Sequence, residues 1–119
     1  MLINFSNHPS SSWPTEQKNA AAVYGQIIDL PFPYIDPEED ELYINQIAEN
    51  YIRKINEMQN NTKDKLVVHV MGELTFVYTF VNALKKNGII CIASTTERIS
   101  KEENGIKISK FQFKRFRKY

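Results

Sequence analysis

The sequence predicts an α/β fold in which a mostly parallel β-sheet ends in a C-terminal antiparallel hairpin. Short apolar runs alternate along the chain with amphipathic stretches of helical period. The run 66–71 is nearly continuous apolar sequence, as the central strands of parallel sheets are. Asn104-Gly105 is a strong hairpin-turn signal near the C-terminus. At 119 residues, the chain is expected to form one domain spanning residues 1–119.

The first part of the chain is predicted to form a strand, a helix and a second strand. Residues 2–5 are apolar enough for a buried strand. Ser12 is expected to cap a helix that tolerates Pro14 in its first turn, and Gly25 ends that helix. The short second strand covers residues 26–30.

A long amphipathic helix is predicted next. Asp36 is a good N-cap residue, Pro37 suits the first turn, and Glu39 follows three residues after the cap. Apolar side chains then recur at helical spacing, at Ile44, Ile47, Tyr51, Ile55 and Met58. A polar loop over residues 60–64 is expected to end this unit.

The strand at 66–71 is followed by a predicted helix at about 73–86 and a strand at 89–93. Right-handed crossovers would then place the first and third strands side by side at the centre of the sheet. Ligands bind α/β sheets at such a topological switch point, beyond the carboxyl ends of the strands.

The C-terminal hairpin is predicted to pair residues 97–102 with residues 106–117. The apolar side chains of the last strand change parity between Ile108 and Phe111. This change predicts a β-bulge near Ser109-Lys110.

Composition and charge limit the class of protein. The hydrophobic share of 42% and the charged share of 24% are typical of a soluble globular domain. A net charge of +1 does not indicate a long nucleic acid as partner. No apolar run approaches the roughly 20 residues that span a bilayer, so we expect no membrane contact. We also expect no signal peptide, because the first residues lack a basic region and a long apolar run.

The cysteine and histidine content argues against several kinds of site. Cys91 is the single cysteine, so no internal disulfide can form and a cytoplasmic location is expected. The sequence has no P-loop, GxGxxG, CxxC or HExxH motif, and we expect neither a metal nor a cofactor. His69 lies inside an apolar strand, where a structural or supporting role is more common than catalysis.

Small polar side chains follow three of the predicted strands and are the candidate ligand contacts. They are Ser6, Asn7, His8, Ser10 and Ser11 after the first strand, Met71, Gly72, Glu73 and Thr75 after the third, and Ser94, Thr95, Thr96 and Arg98 after the fourth. Hydroxyls, amides, a glycine and an arginine at one edge of a sheet predict a polar ligand that carries phosphate.

Individual candidates have a structural alternative. Gly72 would let the backbone approach a ligand closely, and Glu73 would bind a sugar hydroxyl or base amine, or serve only the helix start. Arg98 matches a phosphate bidentately. Trp13 could stack on a base or pack over the sheet.

The chain resembles the small ring-nuclease-like proteins that accompany type III CRISPR systems. The resemblance runs along nearly the whole chain through short blocks in a fixed order. These are Asn4-Phe5-Ser6-Asn7-His8, Trp13 with Gln17, Asp29-Leu30-Pro31, His69-Val70-Met71-Gly72-Glu73, Ser94-Thr95-Thr96-Glu97-Arg98 and Phe113-Lys114-Arg115-Phe116-Arg117-Lys118-Tyr119. Such proteins are similar to reduced CARF domains, which implies a Rossmann-like three-layer sandwich and a homodimer.

The resemblance also implies the ligand and the reaction. The ligand is a cyclic oligoadenylate, with cyclic tetra-adenylate as the first expectation, and many such proteins linearise the ring. Cleavage in them is metal-independent, because a ribose 2′-hydroxyl attacks its own phosphodiester. The candidate catalytic residues are His8, Ser11 and Arg98. His8 would move a proton, or would only shape its loop together with Pro9.

Two alternatives stay open from the sequence. The protein could bind the messenger without cutting it, as a sponge or sensor. It could also be a CARF-like subunit that docks on a partner through its basic C-terminal tail.

Overall fold

A computed structural model describes residues 1–119 and contains one five-stranded sheet with three α-helices. The strands are β1 (Leu2–Ser6), β2 (Ile27–Pro31), β3 (Val67–Val70), β4 (Ile90–Glu103) and β5 (Ile106–Lys118). The helices are α1 (Thr15–Ala22), α2 (Glu41–Asn60) and α3 (Leu74–Lys86), with a short 3-10 helix at Ser10–Ser12. The predicted α/β class is confirmed.

The sheet has the strand order β2-β1-β3-β4-β5. The first four strands are parallel, and β5 pairs with β4 in the antiparallel sense. The predicted adjacency of the first and third strands is therefore confirmed. Their carboxyl ends meet at the switch point of the sheet.

Side chains alternate between the two faces of the sheet, and each face has its own apolar cluster. The larger cluster joins Ile3 and Phe5 of β1 to α2 and α3. The smaller one joins Leu2 to Trp13 and to Ala21 of α1. One face is thus covered by α2 and α3, and α1 lies against the other.

Strand β4 belongs to both the parallel sheet and the hairpin. The sequence predicted separate strands at 89–93 and 97–102, but the backbone continues without a break because β5 pairs along nearly all of β4. The turn prediction is confirmed, since Asn104 and Gly105 have φ values of 52° and 76°. Two consecutive residues in the left-handed region are typical of a type I′ turn.

The bulge lies elsewhere than predicted. Thr95 pairs with Arg115 and Thr96 pairs with Phe113, so Lys114 is the extra residue on β5. The expected site at Ser109-Lys110 is regular and paired. The physical reason is the packing of the aromatic side chains, because a bulge after Phe113 brings it to the same face as Phe116, where their ring centroids are 5.0 Å apart.

Two helices begin later than predicted. Ser12 lies in the 3-10 helix and donates to the Pro9 carbonyl, and α1 begins after Pro14. The Asp36 side chain accepts a hydrogen bond from the Glu38 N–H within a local turn. Asp40 is therefore the N-cap of α2. In both cases a polar side chain binds its own loop instead of a helix terminus.

The molecule is elongated, with extents of 53 × 38 × 21 Å. The side chains of β4 beyond Thr95 are exposed, as are most of those of β5. None of the helices combines the length and apolar content needed to cross a membrane.

Candidate functional site

A cleft of about 530 Å³ opens at the carboxyl ends of β1 and β3 and beside residues 94–96 of β4, on the side of α1. Its lining is Ser6, Asn7, His8, Ser12, Trp13, Pro14, Gln17, His69, Met71, Gly72, Ser94, Thr96 and Phe111. Strand ends supply its floor, and the start of α1 supplies one wall.

Four polar side chains from four neighbouring strands lie in a row beneath this cleft. Asn4 of β1 is the register partner of Asp29 in β2 and of His69 in β3. Ser94 lies two positions beyond Ile92, the partner of His69 in β4. The four side chains form a continuous row of hydrogen bonds across four strands, and we call it the polar row (Asp29, Asn4, His69 and Ser94).

All hydrogen bonds of the polar row have the same donor-to-acceptor direction, from Ser94 towards Asp29. Asn4 Nδ2 donates to Asp29 Oδ1 at 2.8 Å and to the His8 carbonyl at 2.8 Å. Both of its hydrogens are used by acceptors, so Asn4 Oδ1 faces His69 Nδ1 at 2.9 Å. An amide oxygen can only accept, and His69 Nδ1 therefore carries the imidazole proton.

Ser94 ends the row at the cleft. His69 Nε2 lies 2.7 Å from Ser94 Oγ, and the tautomer fixed by Asn4 leaves Nε2 as an acceptor. The Ser94 hydroxyl thus donates to His69, while Gln17 Nε2 donates to Ser94 Oγ at 3.2 Å. The arrangement can pass a proton from the cleft into the imidazole.

Burial sets the charge state of this row. Burial, with some repulsion from His8, lowers the pKa of His69 to about 4, so the imidazole is neutral at neutral pH. Burial alone would raise the pKa of Asp29, but hydrogen bonds from Asn4 and from the Ser10 N–H and hydroxyl outweigh it and lower that pKa. In this tautomer Nε2 can take a proton, and the lowered pKa makes His69 a weaker base than an exposed histidine.

Aromatic rings enclose the imidazole. The Trp13 ring is buried and meets His69 edge-on at 5.3 Å between centroids, and Phe116 lies 5.5 Å from His69. Trp13 therefore packs over the sheet, the second of its two sequence interpretations. Phe111, by contrast, is 70% exposed at the rim of the cleft.

The structure brings part of the predicted ligand set together. Ser6, Asn7, His8, Met71, Gly72, Ser94 and Thr96 all line the cleft. Ser10 and Ser11 do not, because Ser10 binds the Asp29 carboxylate and Ser11 is exposed with its carbonyl accepting from Lys18. Thr95 is held by Arg115 through its hydroxyl.

Arg98 lies on the hairpin beyond the cleft. Its Nε and Nη2 atoms donate to Ser109 Oγ at 3.3 and 3.1 Å. It is the register partner of Phe111 and lies two residues after Thr96, so it shares the face of the cleft. This position is at the rim.

Glu73 and Thr75 belong to a separate groove. Glu73 is the N-cap of α3, and its carboxylate accepts from the Thr75 hydroxyl and from the N–H groups of Thr75 and Phe76. The Thr75 hydroxyl, followed by the Phe76 N–H, lowers the pKa of Glu73. The groove has a volume of about 650 Å³ and also contains Asp36, Glu39, Asp40 and Glu41, a lining ill-suited to an anion.

Gly72 is required by the packing of a side chain. A Cβ atom at this position would overlap the ring of Phe32. Phe32 in turn packs against Phe5 at 5.0 Å and Phe76 at 5.1 Å between ring centroids. The absence of a side chain here therefore serves the core as well as the floor of the cleft.

Sequence reasoning missed Asn4, Asp29 and Gln17 as site residues and gave His69 only a supporting role. The sequence did contain a signal for Asn4 and for His69, because both are polar side chains inside apolar strands. Buried polar groups need partners, and a common face predicts that they partner each other. Their alignment depends on register, which the sequence does not specify.

Comparisons with known proteins identify related chains. A family model described as "Uncharacterized protein MJ1673 family" matches residues 1–117. "Uncharacterized protein MJ1673" from Methanocaldococcus jannaschii is 35% identical over 98 residues, which cover 74% of this chain and 76% of that protein. No solved structure matches the chain.

Proposed function

The chain belongs to the MJ1673 family, and we propose that it binds a cyclic oligoadenylate of type III CRISPR immunity, with cyclic tetra-adenylate as the first ligand to test. In this proposal the protein opens the ring by attack of a ribose 2′-hydroxyl and so ends the signal. It acts in the cytoplasm, without a metal or cofactor.

The observation that carries the proposal is the convergence of two strand ends and the middle of β4 on one cleft. Ser6, His8, Gly72 and Ser94 come from β1, β3 and β4 and their following loops, yet line the same space. Hydroxyl, imidazole and backbone groups of this kind suit ribose and base edges. The exposed Phe111 at the rim offers a surface on which an adenine could stack.

The finer fold assignment belongs to the same proposal. Parallel strands in the order β2-β1-β3-β4, with helices against both faces, support a Rossmann-like three-layer sandwich of the CARF type. The ligand would then occupy the usual position, outside the carboxyl ends of the strands.

A homodimer follows from the size of the ligand. A cleft of about 530 Å³ suits one small ligand, whereas the ring contains four nucleotides. A two-fold symmetric pair of clefts would match the two-fold axis of the ring. Exposed aromatic side chains such as Tyr34 and Tyr78, at 80% and 72%, support an association between chains.

Of the candidate catalytic residues, His8 lines the cleft. Arg98 would reach a phosphate from the rim. Ser11 would contact the ring only where the ring extends past the 3-10 helix. In-line attack of O2′ on phosphorus would release O5′ and leave a 2′,3′-cyclic phosphate. Among these three residues, His8 would be the one to supply or accept a proton in that step.

A second candidate function is ring binding without turnover. The position of Ser11 and Arg98 outside the cleft favours it, because it removes two expected catalytic groups from the reacting phosphate. Such a protein would act as a sponge or sensor of the same messenger.

One assay separates these functions. Labelled cyclic oligoadenylates of several ring sizes are incubated with the protein in EDTA, and bound and linear species are quantified. Linear products ending in 2′,3′-cyclic phosphate support the nuclease. Stoichiometric binding with an intact ring after hours supports the sponge. A strict metal requirement contradicts the proposed mechanism, and monomers in sedimentation with and without ligand contradict the dimer.

A further inference from the structure

The polar row ends at the cleft on the hydroxyl of Ser94. Ser94 is half-buried, lines the cleft, and donates to a neutral imidazole at 2.7 Å. Its oxygen accepts one hydrogen bond, from Gln17, and a hydroxyl oxygen has two lone pairs. One acceptor position on Ser94 is therefore open to a ligand.

The arrangement behind Ser94 is that of an oriented base. His69 is held on both ring nitrogens, by Asn4 Oδ1 and Ser94 Oγ, and Asn4 is itself fixed by the Asp29 carboxylate. A nucleophile or proton acceptor, a histidine and a third orienting group at hydrogen-bond distances are the parts of a proton relay. His8, in contrast, contributes only backbone atoms to the hydrogen bonds of its loop.

We infer that Ser94 is the catalytic group that takes the proton of the attacking ribose 2′-hydroxyl, while His69 takes the proton of Ser94 in the same step. This inference rests on the proposed function and specifies its chemistry. Ser94 would touch the substrate, whereas His69, Asn4 and Asp29 act through it as positioning residues. Gln17 holds the Ser94 oxygen in place.

The proposed ring opening moves two protons along the Ser94–His69 pair and exchanges one P–O bond for another. The O2′–H bond breaks and its proton joins Ser94 Oγ, as the original Ser94 proton joins His69 Nε2. The O2′–P bond forms and the P–O5′ bond breaks, which gives a 2′,3′-cyclic phosphate and an O5′ alkoxide. That alkoxide takes a proton from water, and the imidazolium returns its proton through Ser94 to the resulting hydroxide.

The principal test separates binding from turnover in Ser94 variants. Ser94→Ala removes the hydroxyl of the relay. Ser94→Thr keeps a hydroxyl, and threonine is well tolerated in strands. Ser100→Ala is the matched control, because Ser100 is an exposed serine of the same strand whose hydroxyl faces Ser109. Equilibrium binding of cyclic tetra-adenylate and single-turnover cleavage are measured for all of them.

We expect Ser94→Ala to bind the ring within about threefold of wild type and to cut it roughly 10²–10⁴-fold more slowly, the range for loss of general acid–base help. Ser94→Thr should recover most of the rate, and Ser100→Ala should match wild type in both measurements. A Ser94→Ala rate within threefold of wild type overturns the inference and leaves ring opening intact.

His69→Gln provides a second variant. Glutamine can still accept the Ser94 hydrogen bond, but it cannot take the proton, so cleavage should fall as in Ser94→Ala. In wild type, the rate should also decline at acidic pH as His69 becomes protonated; the ionisable groups that act on it are His8, through charge, and Asp29, through Asn4. That acid limb should be absent in His69→Gln.

The remaining outcomes distinguish the two levels of the proposal. A wild-type protein that binds the ring and leaves it intact overturns the relay and retains the binding function. A wild-type protein that binds no ring overturns both.

Discussion

The amide nitrogen of Asn4 lies 2.8 Å from the carboxylate of Asp29, and this contact, together with the one to the His8 carbonyl, fixes the orientation of the Asn4 amide. A carboxylate accepts hydrogen bonds only, so the amide oxygen must point to the other neighbour, His69. An exposed side chain on β2 thereby contributes to setting the tautomer of a buried histidine two strands away.

Asp29→Asn tests this relationship. The new amide can donate as well as accept, so the Asn4 side chain loses one of the two acceptors that fix its orientation, and Ser10 loses one carboxylate acceptor. We expect a loss of about 1 kcal/mol in the free energy of unfolding. Urea titration measures that loss, and ¹⁵N shifts of the His69 ring measure how far the balance of tautomers changes. Asp64→Asn, an exposed loop position, should change neither.

The stability of the protein should fall as the pH drops from about 6.5 to about 4. Burial lowers the pKa of His69 in the folded state from 6.5 to about 4, so within this window the unfolded chain binds a proton that the folded chain does not. The loss should total roughly 3 kcal/mol, at 1.36 kcal/mol for each unit of pKa.

Urea unfolding at a series of pH values checks this expectation. The depressed pKa of Asp29 acts below this range, since its ordinary value is 3.8, and that of Glu73, ordinarily 4.5, acts only at the acid end of the range. His8→Gln should keep most of the loss and His69→Gln should remove it. A flat profile between pH 6.5 and 4 in wild type would contradict a neutral, buried His69.

Gly72→Ala should destabilise the protein by about 1–3 kcal/mol, because the added methyl group would displace the Phe32 ring from its contacts with Phe5 and Phe76. The double variant Gly72→Ala with Phe32→Leu should recover part of that loss, since the smaller side chain leaves room. Thermal unfolding of the two single variants and the double variant measures the coupling. Additive losses would show that the two positions do not meet.

Arg98→Ala should weaken the binding of cyclic tetra-adenylate about ten- to hundredfold, the equivalent of a charge-assisted contact of about 1.5–3 kcal/mol. Arg98 lies on the cleft side of the hairpin, so it is within reach of a phosphate that projects past the rim. Lys101→Ala is the control, because Lys101 is an exposed cation of the same strand that faces the opposite side. Equal effects of the two substitutions would indicate general attraction by charge.

Glu73→Ala should reduce the free energy of unfolding by about 1 kcal/mol, since Glu73 caps α3 through the N–H groups of Thr75 and Phe76. Ring affinity should not change, because the carboxylate lies in the acidic groove and not in the cleft. Calorimetric titration with the ring provides the second measurement. A tenfold loss of affinity would restore Glu73 as a ligand contact.

The sequence was most informative where apolar pattern and turn chemistry act alone. The alternation of strand and helix, the adjacency of β1 and β3 and the Asn104-Gly105 turn all follow from local period and crossover handedness. These features need no knowledge of how one segment packs on another.

The features that were predicted wrongly depend on such packing. Ser12 and Asp36 are good caps in isolation, but each finds a nearer backbone partner in its own loop. The polar row requires that Asp29, Asn4 and His69 fall into register, and neither hydrophobicity nor spacing along the chain specifies that alignment. About half of the cleft lining was therefore predictable from the residues that follow the apolar runs. The hydrogen-bonded polar row beneath the cleft was not.

The single extra residue at Lys114 divides β5 into two segments that respond differently to changes in length. Between the turn and Phe113, a missing residue could be absorbed by re-forming a longer or shorter loop at Asn104-Gly105. Between Phe113 and Phe116, the same loss would remove the bulge and keep both rings on one face, because side chains two positions apart share a face in a regular strand. Related chains should accordingly vary in length at the hairpin tip, and should have either two residues with a bulge or one residue without a bulge between these two aromatic positions.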